Sequence, residues 1–181
     1  MPTDIVVPKG NEKELLEMAQ RLGYKELIFA YNKLPKEKIG KTAFLAKNSQ
    51  EVNKNKNKFD YIIGGDWGFN DKRVDIIYGL ETEKRKDYMH HRASGMNQVV
   101  AKQAKQHNTS IAFNFNLLRE RKELIMGRFM QNIKLCRKYK VSMIIASFAS
   151  EPYEMRAPKD LQSLGVAMGM HPKEAKDALN Y

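Results

Sequence analysis

Several residue types are scarce in this sequence of 181 residues, and each scarcity excludes a class of protein. The single cysteine, Cys136, excludes an internal disulfide and a zinc site built from cysteines. Its helical spacing from Phe129 and Ile133 predicts a small buried core residue rather than a nucleophile. No apolar run approaches the roughly 20 residues of a membrane span, and the residues after Met1 lack the pattern of a secretory signal peptide. We therefore expect a cytoplasmic protein.

Acidic residues are few compared with basic ones: 21 Asp and Glu stand against 32 Lys and Arg, which gives a net charge of +11. Residues 101–140 contain ten basic side chains and only two acidic ones, Glu120 and Glu123, so this segment alone carries +8. Such a localised positive charge favours a polyanionic partner, and nucleic acid is the first candidate. The alternative is that these side chains are simply the solvated faces of helices.

Short apolar stretches alternate with amphipathic ones along the chain. The pattern predicts strands at 4–7, 26–31, 42–47, 59–65, 74–79, 110–118 and 141–148. It predicts helices at 11–23, 96–107, 119–140 and 157–169 and from Pro172 onwards, with a short helix or a solvated loop at 48–58. This alternation indicates an α/β fold with a parallel sheet. We predict a TIM-like β/α barrel with about seven strands, distorted or incomplete, and a single domain over residues 1–181.

The longest predicted helix, 119–140, separates an apolar stripe from basic residues. Ile125, Phe129, Ile133 and Cys136 follow the spacing of one buried helix face. Basic residues are predicted on its other faces, namely Arg121, Arg128 and Lys138 with the flanking Arg119 and Lys140, and Lys102 and Lys105 lie on the preceding helix. Together they predict a continuous positive surface that contacts phosphates rather than base edges, because no RNA-recognition or helix-turn-helix motif is present.

The segment DYMHHRASGMNQ, residues 87–98, resembles an acid–base or metal centre at first sight. However, neighbouring residues such as His90 and His91 point in different directions on a helix or a strand, so they do not readily ligate one metal. The pattern favours a loop that enters a helix, with Ser94 as the N-cap residue. The histidines are then either structural or phosphate-facing, and Arg92 is available to an anion.

A metal-dependent phosphoesterase on the same barrel is the alternative function. It would use Asp66 and Glu81 with His90 or His91, but the first strand lacks the histidine pair that such barrels usually have. The only tryptophan, Trp67, lies in the glycine-rich segment GGDWGF and is either a stacking platform for a base or a core plug.

Five motifs resemble the barrel-type protein subunits of archaeal ribonuclease P, known as component 3, which are related to the thirty-kilodalton subunit of the eukaryotic enzyme. They are VDI (74–76), HHR (90–92), IAFNFNLL (111–118), NIKLCRKYK (132–140) and MRAPKDLQSLGVAMGM (155–170). They occur in the order typical of the family and cover about the last two-thirds of the chain. The resemblance implies a β/α barrel that serves as a protein cofactor in an endoribonuclease.

The same resemblance implies partners and site residues. The family assists a catalytic RNA that uses Mg²⁺ to remove the 5′ leader from precursor tRNA, so no catalytic residue, bound metal or cofactor is expected in this chain. The expected partners are the ribonuclease P RNA, precursor tRNA and other protein subunits, especially a small ferredoxin-like one. The basic positions that match the family motifs, and are therefore the predicted RNA contacts, are Arg73, Arg92, Lys102, Arg137, Lys138, Arg156 and Lys176.

Overall fold

Seven parallel strands form one sheet in a computed structural model that describes residues 1–82, 86–119 and 122–181, and each strand pairs with the next one along the chain. In order they are β1 (Thr3–Val6), β2 (Glu26–Tyr31), β3 (Lys41–Leu45), β4 (Tyr61–Gly64), β5 (Ile76–Tyr78), β6 (Ser110–Asn114) and β7 (Met143–Ala146). Each overlaps a predicted strand, and the prediction of a TIM-like barrel with seven parallel strands is confirmed.

Six helices lie between and after the strands of the described chain. They are α1 (Glu12–Leu22), α2 (Ser49–Asn55), α3 (Gln98–His107), α4 (Lys122–Tyr139), α5 (Pro158–Ala167) and α6 (Pro172–Asp177). The sequence left a short helix and a solvated loop as alternatives for residues 48–58, and the structure has a helix there, α2. Within the described residues, no helix has both the length and the apolar character that crossing a membrane requires.

The first and last strands meet, although there is no eighth strand in the described sheet. Two backbone bonds join them at their carboxyl ends, from Val7 N to Ala149 O and from Phe148 N to Ile5 O, each 2.8 Å long. At the amino ends the gap is filled by residues 178–179, whose carbonyl groups accept bonds from the N–H of Ile145 (2.9 Å) and of Thr3 (2.8 Å). Residues of the loop after β7 and of the chain end therefore provide hydrogen-bond partners where an eighth strand would otherwise do so.

A side chain also stabilises the seam between β1 and β7. The buried Asp4 carboxylate accepts bonds from the backbone N–H of Ser147 at 2.7 Å and from its hydroxyl at 2.6 Å. Burial raises the pKa of Asp4 to about 7, although the bonds from Ser147 act in the opposite direction.

Apolar side chains fill both faces of the sheet. Ile5, Ile63 and Ile144 belong to the cluster inside the barrel. The predicted stripe of α4 packs against the outside of the sheet, where Phe129 and Cys136 are fully buried. The prediction that Cys136 is a small core residue is therefore confirmed.

Candidate nucleic-acid interface

An open cavity of about 690 Å³ lies at the carboxyl ends of β3 to β6. Its lining includes Lys47, Asp66, Trp67 and Asn114, from the loops after β3, β4 and β6. The Trp67 ring lies so close to Gly64 that a Cβ atom there would be 3.0 Å from it. The ring is partly buried against the apolar cluster on the outer face of the sheet. This favours a packing role for Trp67 over a role as a stacking platform for a base.

The carboxylates of the metal-site hypothesis do not meet at this cavity. Asp66 is exposed and accepts a bond from the backbone N–H of Trp67. Glu81 is completely buried and accepts a bond from Asn132 Nδ2 at 2.8 Å, and burial raises its pKa to about 7. His90 is exposed on a loop that lies against α4. Among the residues that the structure describes, no three His, Cys, Asp or Glu side chains are grouped for a metal.

The loop that carries the two histidines is held on α4 by Asp87 and Gln131. Asp87 accepts bonds from the backbone N–H of Ala93 (2.9 Å), from Arg128 Nε (3.0 Å) and from Arg92 Nη1 (3.1 Å). Burial acts to raise the pKa of Asp87, but these bonds lower it below its usual value. Gln131 accepts a bond from Arg92 N and donates one to Arg92 O, both of 2.9 Å. The loop is therefore fixed on the helix by both its backbone and its side chains.

The prediction that Arg128 lies on an exposed basic face of α4 was wrong. Its side chain is only 1% exposed, because it pairs with Asp87 and donates to the carbonyl of Glu81. Of the other basic residues predicted on this helix, Lys138 is exposed, and Arg121 lies outside the described residues. The basic surface is therefore smaller than the sequence pattern indicates.

The prediction that Ser94 caps α3 was also wrong. Asn97 is the N-cap residue, and its side chain accepts bonds from the N–H groups of the first turn. Ser94 is instead buried, and its hydroxyl accepts a bond from Gln131. The serine thus helps to attach the loop to α4 rather than to begin α3.

Asp87 and Gln131 were not predicted from the sequence as the residues that hold the loop on α4. A signal was present, because Arg128, Gln131 and Asn132 are polar residues at i, i+3 and i+4 on one face of a helix. Polar residues at that spacing beside an apolar stripe indicate that the face packs against something polar.

His90, His91 and Arg92 are all exposed on this loop. The turn that carries the histidines is closed by a bond from Tyr88 N to His91 O. The Arg92 guanidinium lies over Gly127 of α4, where a Cβ atom would collide with it. A glycine in α4 thus lets the arginine lie flat on the helix, with 47% of its side chain still exposed.

The seven predicted RNA contacts differ in accessibility. Arg92, Lys102, Lys138 and Lys176 are exposed, whereas Arg73, Arg137 and Arg156 are partly buried. Arg92, Lys138 and Arg137 lie on or against α4, and Lys102 lies on the neighbouring helix α3. Arg73 and Arg156 lie elsewhere, before β5 and after β7, so the structure does not bring all seven residues into one site.

Two of the partly buried arginines form ion pairs with carboxylates of this chain. Arg73 binds both carboxylate oxygens of Asp71, at 2.7 and 2.6 Å, and the bonds from Arg73 lower the pKa of Asp71. Arg137 binds Glu174 of α6, with the shortest bond at 2.5 Å, and lowers the pKa of Glu174 to about 2. Each arginine therefore has a structural role, the first within the turn before β5 and the second between two helices.

Known proteins are similar to this chain in sequence. Residues 69–181 match the family described as RNase P subunit p30. The chain is 30% identical to ribonuclease P protein component 3 of Methanococcoides burtonii, over 95% of this chain and 79% of that protein. It is 34% identical to the protein of the same name from Thermococcus gammatolerans, over 67% of this chain and 57% of that protein.

A solved structure has the same fold. It is a chain in the cryo-EM structure of archaeal ribonuclease P with mature tRNA, with a TM-score of 0.77. The alignment covers 98% of this chain and 87% of that chain, with 20% sequence identity. At this identity the similarity establishes the barrel fold and does not transfer individual contacts.

Proposed function

The chain belongs to the RNase P subunit p30 family, and we propose that it is the barrel-type protein subunit of ribonuclease P. In this proposal it binds the catalytic RNA and supports removal of the 5′ leader from precursor tRNA. The RNA performs the chemistry with Mg²⁺, and no residue of this chain is assigned a catalytic role.

The observation that carries the proposal is a set of unpaired lysines on α3, along α4 and directly after it. They are exposed, and within the described residues none of them pairs with a carboxylate: Lys102, Lys105, Lys134, Lys138 and Lys140. Lysines without acidic partners can neutralise phosphates and release their counterions.

The loop on α4 extends this positive surface. Arg92 belongs to it, and its backbone is fixed by Gln131 before any RNA arrives. Because α3 and α4 pack against each other, Lys102 and Lys138 lie on adjacent helices. The proposed RNA contacts on this surface are therefore Arg92, Lys102 and Lys138, and the exposed His90 and His91 are proposed to face phosphates.

The remaining predicted contacts have a second proposed role. Arg137 connects α4 to α6, the helix that carries Lys176, so we assign these two residues either to the RNA or to a neighbouring protein subunit. The proposed protein partners include the small ferredoxin-like subunit of the same particle. Precursor tRNA is then bound by the assembled particle, directly or through its RNA.

RNA binding by substituted proteins tests the proposal. A salt titration of binding to an archaeal ribonuclease P RNA should show a steep loss of affinity for the unchanged protein. Replacing Lys102 and Lys138 by glutamine should reduce the slope of log K against log salt by about 2, because each lysine neutralises roughly one phosphate. The matched control is Lys13→Gln on α1, next to β2 on another part of the barrel, which should leave the slope unchanged. Equal slopes for all the variants, or no binding by the unchanged protein, would contradict the proposal.

A further inference from the structure

A tyrosine side chain projects from the turn that follows β7. Tyr153 lies in the 3-10 turn Pro152–Glu154 and is 87% exposed. Tyrosine has an apolar ring with a polar tip and is enriched at binding interfaces, so a ring this exposed is available to a partner. The position of the turn, beyond the carboxyl end of a barrel strand, is where the ligand contacts of such barrels are made.

The turn is held in place by Glu154, both of whose carboxylate oxygens accept hydrogen bonds. Glu154 accepts bonds from the backbone N–H of Ser150 at 2.9 Å, from its hydroxyl at 3.1 Å and from Arg119 Nη1 at 2.8 Å. Mainly because of the bond from Ser150, its pKa is lowered. Asn11 also donates a bond of 3.0 Å to the carbonyl of Ser150. The exposed ring therefore stands on a rigid base, which reduces the entropy lost when it binds.

Two arginines flank the turn. Arg156 Nη1 donates bonds to the carbonyls of Tyr153 (3.0 Å) and Met155 (2.7 Å), and its guanidinium lies 5.1 Å from the ring centre of Phe115. In the described part of the chain, the other nitrogens of this guanidinium donate no hydrogen bond. Arg119 is 54% exposed while it binds Glu154. The turn thus carries an exposed ring and lies next to two arginines, one of which is paired with Glu154.

We propose that Tyr153 is a stacking platform for an unpaired base of RNA, and that Arg119 and Arg156 contact the phosphates next to that base. The inference rests on the proposed function, since it names a further contact with the same RNA. Single-stranded nucleic acid is typically held by aromatic rings that stack on bases beside cations that follow the backbone.

A protein partner fits this site less well than RNA does. The fully buried centre of a protein–protein interface is usually more apolar than its rim, and no other large apolar side chain is exposed in residues 150–156 or 115–119. The exposed apolar side chains Tyr88, Met89 and Met130 lie together on the α4 side instead. Tyr153 is the only large apolar side chain exposed in these two segments, and the charged residues Glu154 and Arg156 lie next to it.

The test compares two substitutions of the tyrosine in the full chain, with an archaeal ribonuclease P RNA as the probe. Tyr153→Ala should weaken binding about 5- to 100-fold, and Tyr153→Phe should stay within about twofold of the unchanged protein, because stacking needs the ring and not the hydroxyl. Tyr153→Ala should keep the salt slope, since stacking neutralises no phosphate. Arg119→Gln should reduce that slope by about one. The control Leu34→Ala, which removes an exposed apolar side chain from the loop after β2, should bind normally.

Four results would contradict the proposal that Tyr153 is a stacking platform. Salt-dependent binding that is equal for Tyr153→Ala and the unchanged protein overturns it and leaves the proposed function intact. A phenylalanine variant as weak as the alanine variant also overturns it, because the hydroxyl would then be the contact. If Tyr153→Ala loses binding to another protein subunit while its RNA affinity is unchanged, the turn is a protein contact. If the unchanged protein binds no RNA, both the platform and the proposed function fail.

Discussion

At the scale of single residues, Glu81 is a carboxyl group in unusual surroundings. It is completely buried, one of its oxygens accepts a bond from Asn132, and the other has no partner among the described residues. Its neighbour Arg128 is buried too and pairs with Asp87. A carboxylate placed in this way is costly to ionise, so protonation stabilises the folded state.

The pH dependence of stability follows from the pKa of Glu81, which burial raises from 4.5 to about 7. A raised pKa means that the folded state binds the proton more tightly than the unfolded chain. The stabilisation is therefore complete below about pH 4.5 and is lost as the pH rises through 7. Each unit of the difference corresponds to roughly 1.4 kcal/mol.

Glu81→Gln should remove this loss, because the amide stays neutral and can still accept the bond from Asn132. In urea titrations, the free energy of unfolding of the variant minus that of the unchanged protein should increase between about pH 5 and pH 8. Below about pH 4.5 the difference should be constant, which serves as the internal control. A difference that is independent of pH across the whole range would show that the pKa of Glu81 is the same in the folded and unfolded states, which contradicts the prediction.

At the scale of elements, α5 approaches β7 at a glycine. A Cβ atom on Gly165 would lie 2.6 Å from Ile145 Cδ1 and 3.2 Å from the Cβ of Ala175 in α6. Three elements therefore meet at a point where a single hydrogen is the only side chain that fits. The helix gains a close contact in return for the lower helix propensity of glycine.

Gly165→Ala should destabilise the protein by up to about 2 kcal/mol. Overpacking that must move Ile145 or the helix costs about 1–3 kcal/mol, and the higher helix propensity of alanine offsets about 1 kcal/mol of this. The neighbouring Val166→Ala is the control, since Val166 is 42% exposed and a surface substitution usually changes stability by less than about 0.5 kcal/mol. Thermal unfolding followed by circular dichroism measures both. A Gly165→Ala protein that is more stable than the unchanged protein by the full helix-propensity gain of about 1 kcal/mol would mean that α5 is not closely packed on β7.

The elements also show how far the sequence determines the fold. Buried parallel strands are continuous apolar runs, so all seven were predictable, but their ends depend on side-chain bonds that a pattern does not contain. β6 was predicted at 110–118 and ends at Asn114, whose side chain accepts a bond from Asn116 N and starts a turn. The start of α3 was missed similarly, because Ser94 and Asn97 are both good N-cap residues and only the tertiary contacts of Ser94 separate them.

The candidate site was less predictable than the fold. Basic residues on a helix are normally exposed, yet Arg128 is buried because it pairs with Asp87. Asp87 lies 41 positions earlier in the sequence, so the helix pattern alone does not reveal this pair. Arg156 was identified through a motif, whereas Tyr153 was not, because its exposure depends on the bonds that Glu154 accepts from distant and neighbouring residues. Long-range polar pairs of this kind decide which side chains are accessible, and a single sequence does not show them.

At the scale of the whole molecule, the described residues of the barrel lack the grouping of side chains that metal catalysis needs, while its outer helices carry unpaired positive charge. Asp4 and residues 178–179 close the barrel at the seam between β1 and β7. A closed barrel with a basic outer surface is suited to hold and position RNA. The proposed function assigns RNA binding to the protein and the chemistry to its RNA partner.

Reconstituted cleavage of precursor tRNA tests this division of roles most directly. The chain should be combined with an archaeal ribonuclease P RNA, the other protein subunits and Mg²⁺, and each component should be omitted in turn. We predict that the chain alone does not cleave precursor tRNA, and that adding it to the other components increases the rate of 5′ leader removal. Cleavage by the chain without RNA, or an unchanged rate when only this chain is omitted, would contradict this division of roles.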